Sequence, residues 1–321
     1  MHRTLRTLVT AALIGLAASA VHAADPFPNK PVKLIVPFAT GGGTDALARL
    51  VAQVLSDKWK QPVVVENKAG AEGVVGSALV AQSPPDGYTL LWAVQSHAIN
   101  PSVRLNMPFD TLKAFAPITL VAQTPYVVAA SNKLTAKSMA ELLSYAQANP
   151  GKLSFGSSDP GARIMGELLK TSASIEMVNV SYKGSGPIMN DLLGNHLEIG
   201  FVSLPSAQSN YKAGTLRLLA VSTAQRTPLA PELPTIAESG VKDFDIAIWW
   251  GMLAPAGTPP AIVEQIYKDL VQIANDTDFR QQLMQRGATP VLSSPKAFSE
   301  FLVADVARAE RVVKQAGMKP E

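Results

Sequence analysis

Short apolar runs alternate with stretches of helical periodicity along most of the chain. The runs VKLIVPF, PVVVE, TLLWAV and APITLVA lie in the first part, and YVVAAS, KLSFGSS, EMVNVSYKG, LEIGFVS and LRLLAVST repeat the pattern further on. The early runs are apolar throughout, which is typical of parallel strands that are covered on both faces. The alternation therefore predicts an α/β fold with mainly parallel sheets.

Several helix ends are marked by residues that favour caps. Thr44 is the expected N-cap of the helix between the first two runs, and Ser138 begins a capping box in the middle of the chain. Two long helices are predicted to finish the chain, one starting after Thr258 and the other after Ser294. The second of them should end just before Gly317, because glycine commonly follows the last helical turn.

The first 23 residues have the order of parts of a secretory signal peptide. Arg3 and Arg6 precede an apolar run at 8–20, and small residues flank His22 at the expected cleavage site. The apolar run is shorter than the roughly 20 residues that span a bilayer, so we expect cleavage and a periplasmic mature chain, with an uncleaved anchor as the alternative. The remaining 298 residues exceed what one core usually serves, which predicts two domains.

Charge and composition argue against several classes of function. Without the two signal-peptide arginines, 26 basic residues face 25 acidic ones, and no run of like charge suggests a nucleic-acid partner. The absence of cysteine excludes disulfides and thiol chemistry. The mature chain has two histidines, His97 and His196, and lacks GxSxG and HExxH motifs. We therefore expect no catalysis, no metal and no cofactor.

The stretch VPFATGGGTDALARL places three glycines between a predicted strand and a predicted helix. Glycines let the backbone approach a ligand, and the N–H groups at a helix start favour an anion. A phosphate loop would need a lysine after the last glycine, but Thr44 and Asp45 follow it. Two further interpretations stay open: a carboxylate bound by backbone N–H groups with Phe38 against its body, and a tight turn without a ligand.

A dinucleotide site is the third alternative for the same loop. Gly41, Gly43 and Ala46 match the relaxed fingerprint, and Glu66 follows 20 residues after Ala46. Four residues separate the strand from the glycines, however, where the fingerprint requires the first glycine at the strand end. An exported protein would also have to carry its cofactor with it, so we regard this interpretation as the weaker one.

Seven motifs occur in order along the mature chain: PFATGGGTD, QPVVVENKAGAEGVVG, PPDGYTLL, HAINP, YKGSGP, FVSLPSA and MLAPAGTP. In these motifs the chain resembles the Bug-type extracytoplasmic solute receptors of tripartite tricarboxylate transporters. The resemblance implies a monomeric two-lobed periplasmic binding protein of type II, the Venus-flytrap kind. Lobe 1 would comprise 24–124 and 247–321, and lobe 2 would comprise 125–246. A small carboxylate would be trapped between them and delivered to integral membrane subunits.

The resemblance also implies which residues contact the ligand. They fall on five segments that the family places around the cleft: Phe38, Ala39, Gly41, Gly42, Thr44 and Asp45 in the first, Ser96, His97 and Asn100 in the second, Ser157, Ser158 and Arg163 in the third, Tyr182, Lys183, Gly184 and Ser185 in the fourth, and Val202 in the fifth. For two of them a role without ligand contact stays possible: His97 can be structural, and Lys183 can point to solvent.

Two positions depart from the family pattern and bear on the ligand. Arg163 stands near the position where the family often has histidine, and a guanidinium can grip a carboxylate with two parallel hydrogen bonds. The alternative is a solvated arginine. Val202 stands where an aspartate is frequent, which removes an acceptor for an ammonium group. We therefore expect a plain or aromatic dicarboxylate. A receptor that feeds a signalling sensor instead of a transporter stays possible.

Overall fold

The structure, a computed structural model, describes residues 27–315 together with residues 317, 318 and 320. The predicted signal peptide lies outside this part of the chain. Within it, ten strands form: β1 Val32–Val36, β2 Val63–Asn67, β3 Thr89–Val94, β4 Phe115–Ala130, β5 Leu153–Ser157, β6 Met177–Ser181, β7 Ile199–Ser203, β8 Arg217–Val221, β9 Ala247–Pro255 and β10 Thr289–Pro290.

The same described residues form ten α-helices. They are α1 Gly43–Trp59, α2 Val74–Ala81, α3 Ser96–Val103, α4 Met139–Ala148, α5 Pro160–Ala173, α6 Ser185–Leu193, α7 Leu204–Lys212, α8 Pro260–Ala274, α9 Thr277–Gln285 and α10 Pro295–Gln315. Helix α9 was not predicted, because only Phe279 and Leu283 of it are buried and so short an apolar stripe gives a weak periodic signal.

The strands form two sheets that share β4. In the first lobe the order is β2-β1-β3-β9-β4-β10, and in the second it is β6-β5-β7-β4-β8. Strand β1 is parallel to β2 and β3, and β5 is parallel to β6 and β7, whereas β4 and β9 run antiparallel to their neighbours. The expected two-lobed α/β fold with its parallel strands is therefore confirmed.

The apolar runs APITLVA and YVVAAS are parts of one strand, β4, and not two strands as the sequence suggested. Its first part pairs with β9 as far as Pro125, and from Tyr126 onward it pairs with β7 and β8. Proline cannot donate to a sheet ladder, and Pro125 lies where the strand exchanges one sheet for the other. Ala247 at the start of β9 pairs with Pro125, so the two connections between the lobes lie side by side.

Of the two predicted helix caps, Ser138 is confirmed and Thr44 is not. At α4 the Ser138 hydroxyl accepts a hydrogen bond from the Glu141 N–H at 3.2 Å, as a capping box requires. The N-cap of helix α1 is Gly42, two residues before the expected Thr44. Thr44 is not the cap, because its hydroxyl accepts instead from the Trp250 indole N–H at 3.1 Å. That contact ties the start of α1 to β9.

Helix α10 runs across both lobes. Phe298 and Leu302 near its start belong to the apolar core of the first lobe, together with Trp249. Val312 and Val313 near its end belong to the core of the second lobe. The end of α10 lies close to the opening between the lobes, which makes it part of the surroundings of the site described next.

Candidate functional site

A cavity of about 260 Å³ lies between the lobes. Strands β5 and β6 are parallel neighbours whose carboxyl ends, at Ser157 and Ser181, open into it, as is usual for ligand sites of α/β sheets. Its lining combines residues of the first lobe, the second lobe and the C-terminal segment: Glu72, Val103 and Arg104; Ser157, Ser158, Asp159, Pro160, Arg163, Ser181 and Tyr182; and Met318.

Asp159 organises the serine loop on the second-lobe side. It is the N-cap of α5, and one of its carboxylate oxygens accepts from the Ala162 N–H at 3.0 Å and from the Tyr126 hydroxyl at 2.6 Å. The Tyr126 hydroxyl also lies 3.1 Å from the side-chain oxygen of Gln95, at the end of β3 in the first lobe. Burial, with the Asp159 charge, raises the pKa of Tyr126 well above its usual value, so this phenol stays a donor.

Arg163 brings a positive charge to the same wall. Its side chain is exposed on the first turns of α5 and lines the cavity. Within the part of the chain that the structure describes, the guanidinium makes no hydrogen bond or ion pair. The other arginine of the lining, Arg104, is paired with the Glu72 carboxylate at 3.2 Å. A ligand anion would therefore meet Arg163 without displacing a protein carboxylate.

The loop after β2 forms the first-lobe wall and was missed in the sequence. Ala71 and Glu72 have φ values of 46° and 54°, between Gly70 at 148° and Gly73 at 98°. Consecutive non-glycine residues in the left-handed region are uncommon and cluster at functional sites. Two glycines spaced three apart in KAGAEGVVG were the available signal, but they do not show which side chain faces the cleft.

Ser96 and Asn100 support this loop from beneath instead of facing the cavity. The Ser96 hydroxyl and the Asn100 amide both donate to the Glu72 carbonyl, at 2.9 and 3.2 Å. These two donors are occupied in this conformation, and neither residue lines the cavity. Both residues position Glu72.

His97 has a structural environment. It is buried, its Nε2 lies 3.2 Å from the Thr111 carbonyl, and it packs on Phe109 and Phe115. Burial lowers its pKa to about 4, so the ring is neutral at pH 7. Of the two roles considered for His97, these contacts favour the structural one.

The glycine loop at 41–43 is held by Asp45. The Gly41 N–H donates to the Asp45 carboxylate at 3.0 Å, and this buried carboxylate also accepts from Arg49 at 2.9 Å and Asn67 at 2.9 Å. The hydrogen bond from Arg49, with those from Gly41 and Asn67, lowers the pKa of Asp45 to about 2. Asp45 thus anchors the loop internally, and it does not line the cavity.

The remaining residues of this segment also stand off the cavity. Phe38 is half-buried, Ala39, Gly41 and Gly42 are exposed, and none of them lines it. Asn67 is the residue that the sequence did not reveal here: its amide donates to the Phe38 carbonyl at 3.0 Å and to Asp45. Its position at the end of β2, opposite the end of β1, was the only signal.

Of the fourth predicted segment, only Tyr182 lines the cavity. Its hydroxyl donates to Asp191 at 2.7 Å. Burial, with Asp191, raises the pKa of Tyr182 to about 12. Lys183 and Gly184 are exposed and Ser185 starts α6, but none of these three lines the cavity.

The structure places Val202 in the interior and away from the cavity. Successive residues of a strand point to opposite faces, and both faces of β7 are covered: Phe201 belongs to the core under α5, and Val202 to the core with Ile188 and Leu192 of α6. Val202 is 1% exposed and cannot touch a ligand in the cavity. Its identity consequently carries no information about the ligand.

Among the residues that the structure describes, no three histidine, aspartate or glutamate side chains gather closely enough to hold a metal ion. None of the described helices combines the length and the apolar character that crossing a bilayer requires. Glu66, the acidic residue of the dinucleotide interpretation, is engaged by Lys33 at 3.1 Å and Lys68 at 3.5 Å.

The sequence matches a family described as the tripartite tricarboxylate transporter family receptor, over residues 47–318. Among individual proteins, it is 35% identical to Protein BugT of Bordetella pertussis over 314 residues, which is 96% of this chain and 95% of the relative. The match thus extends across both lobes and the C-terminal helix.

Solved structures of similar proteins agree with this family assignment. Rpa4515 of R. palustris, solved with adipate, is 35% identical with a TM-score of 0.81, and the alignment covers 92% of this chain and all of that one. MatC of Rhodopseudomonas palustris, solved with bound malate, is 27% identical with a TM-score of 0.75, covering 89% of this chain and all of that one. These are solute-binding receptors, not enzymes. The chain therefore belongs to the receptor family of the tripartite tricarboxylate transporters and is itself a solute-binding protein of the Bug type.

Proposed function

We propose that this receptor captures a small dicarboxylate, aliphatic or aromatic, in the interlobe cavity and delivers it to the integral membrane subunits of a tripartite tricarboxylate transporter. The observation that carries the proposal is the guanidinium of Arg163, which faces the cavity without a partner among the described residues. An arginine fork matches a carboxylate in shape and charge. Two similar receptors were solved with adipate and with malate, both of which carry two carboxylates.

The rest of the polar wall suits the same ligand. Ser158 and Ser181 line the same cavity as Arg163. A cavity of about 260 Å³ is just below the range of drug-sized sites, which favours a compact molecule. One carboxylate would bind Arg163 and the serine hydroxyls. The second would lie toward Arg104, whose single contact with Glu72 is partly exposed.

Closure of the lobes is part of the proposal. The lobe limits stay as predicted, with 24–124 and 247–321 in lobe 1 and 125–246 in lobe 2, and β4 and β9 form a hinge. The predicted residues that stand off the cavity, namely Phe38, Ala39, Gly41, Gly42, Lys183, Gly184 and Ser185, would approach the ligand only in the closed form. The mature receptor would act as a monomer in the periplasm.

Calorimetric titration of the mature protein, unfolded and refolded to remove retained ligand, tests the proposal. Adipate, malate and phthalate are the probes, with NAD in parallel. Arg163→Ala should weaken dicarboxylate binding by about tenfold or more, because a charge-assisted hydrogen bond is lost. Arg286→Ala is the matched control, since Arg286 is exposed on the first lobe away from the cavity. Unchanged affinity of Arg163→Ala, or binding of NAD alone, would overturn the proposal.

A further inference from the structure

The lining of the cavity includes apolar side chains as well as polar ones. Val103, at the end of α3, and Met318, beyond the end of α10, both line it. Both side chains are half-buried and pack against the apolar core of the second lobe. The serines and Arg163 line the same cavity from the second lobe, and the Arg104–Glu72 pair lies next to Val103 in the lining. A ligand in the cavity therefore meets both charged groups and hydrocarbon.

The C-terminal turn fixes where Met318 lies. Gly317 adopts φ of 61°, its N–H donates to the Lys314 carbonyl at 3.2 Å, and the Met318 N–H donates to the Val313 carbonyl at 3.0 Å. This pair of bonds is a Schellman motif, which turns the residue after the glycine back over the last helical turn. Met318 is thereby carried to the cavity and not away from the body of the protein.

The support behind Met318 reaches both lobes. Helix α10 is anchored by Leu302 in the core of the first lobe and by Val312 in that of the second. The residue at its end is therefore held in a defined position at the opening between them. Methionine is unbranched and adapts to an irregular apolar surface, which suits contact with a flexible hydrocarbon chain.

We propose that Met318 is a specificity-determining residue: with Val103 it forms the surface against which the hydrocarbon part of the ligand packs, so that the C-terminus sets the chain length the receptor accepts. This inference rests on the proposed binding of a dicarboxylate. It assigns a role to a segment that belongs to none of the loops recognised in the sequence.

The test is a series of unbranched dicarboxylic acids of four to eight carbons, titrated calorimetrically into the wild type and Met318→Ala. Each methylene that packs against Met318 should contribute about fourfold to the wild-type affinity. Met318→Ala should therefore lose fivefold to tenfold for the best-bound acid and less than twofold for the four-carbon acid. Met284→Ala is the control, because Met284 is exposed on α9 and lines no part of the cavity.

Two further variants keep the result interpretable. Met318→Leu should preserve the wild-type preference for ligand length. Met318→Gln should lose this preference, although the glutamine side chain is of similar length and thermal unfolding should show an intact fold. If Met318→Ala changed the affinity for all acids by one factor, or for none, the role of Met318 would be refuted while the proposed function stood. If no acid bound the wild type, both would fall.

Discussion

At the scale of single residues, the polar side chains nearest the glycine loop form hydrogen bonds with other groups of the protein. Asp45 binds Gly41, Arg49 and Asn67 at once, and Asn67 in turn holds the Phe38 carbonyl. Hydrogen bonds to a buried carboxylate are among the stronger ones in proteins. These bonds make the loop a preformed turn, which any contact with a ligand would use without reorganising it.

Asp45→Asn should destabilise the fold by about 1–3 kcal/mol at pH 7, because it removes the charge that these donors solvate. The pKa of Asp45 is lowered to about 2 in the folded chain, below its unfolded value near 4. Its contribution to the free energy of unfolding is therefore complete above pH 4 and is lost as the pH falls toward 2. Urea unfolding at pH 7 and pH 3 should show the difference from wild type shrinking at the lower pH; a constant difference would contradict this.

Gly161 marks a close approach at the second position of α5. A Cβ there would overlap the Tyr126 hydroxyl and lie 2.6 Å from Gln95 Nε2. Gly161→Ala should break the contact between Gln95, Tyr126 and Asp159 and cost about 1–3 kcal/mol of unfolding free energy. The control is Gly186→Ala at the same position of α6, where a Cβ meets nothing within 4 Å.

Because alanine favours a helix over glycine, Gly186→Ala should leave the stability unchanged or raise it by up to about 1 kcal/mol. Thermal and urea unfolding measure both variants. Equal effects at the two positions would show that the contact between Gln95, Tyr126 and Asp159 does not matter for stability.

At the scale of elements, α10 and β9 meet in a buried polar contact. The Trp249 indole N–H donates to the Asp305 carboxylate at 2.8 Å, and Arg308 binds the same carboxylate and the Asp245 carbonyl. Asp245 and Trp249 lie on the segment that re-enters the first lobe. Helix α10 therefore braces one of the two interlobe connections.

The other connection, β4, could not be predicted as one strand, because its pairing partners change at Pro125.

Asp305→Ala should cost about 1–3 kcal/mol, because it leaves a buried indole N–H without an acceptor. Urea unfolding followed by tryptophan fluorescence measures this loss. Glu300→Ala is the control on the same helix: Glu300 is exposed in its pair with Lys296, and such pairs contribute little. A loss for Asp305→Ala no larger than for Glu300→Ala would show that the contact does not brace the fold.

At the scale of the whole molecule, three elements join the lobes: β4, β9 and α10. Two are adjacent strands that can bend together, and the third packs against both lobes from the side of Met318. A ligand that contacts both walls of the cavity would add bonds between the lobes to existing contacts such as that of Gln95 with Tyr126. Binding should then be visible as stabilisation of the entire chain.

A dicarboxylate at 100 times its Kd should stabilise the receptor by about 2.7 kcal/mol, which corresponds to a rise in Tm on the order of 5–10 °C for a chain of this size. The monocarboxylic acid of equal length should give a clearly smaller shift, because it leaves one end of the cavity without a charged partner. Differential scanning fluorimetry measures both. Equal rises in Tm would indicate that only one carboxylate of the ligand contributes to binding.

The amino-acid sequence alone determined the alternation of strands and helices, the cap at Ser138 and the order of the motifs shared with the receptor family. These features depend on periodicity and backbone preference, which act over a few residues. Only the tertiary structure decided which polar groups remain available. Ser96 binds Glu72, 24 residues away, and Asp45 binds Asn67, 22 residues away, while Val202 is enclosed between sheet and helices. Met318 reaches the cavity through a helix that crosses both lobes. Such outcomes depend on which distant segments meet, and no local pattern encodes that.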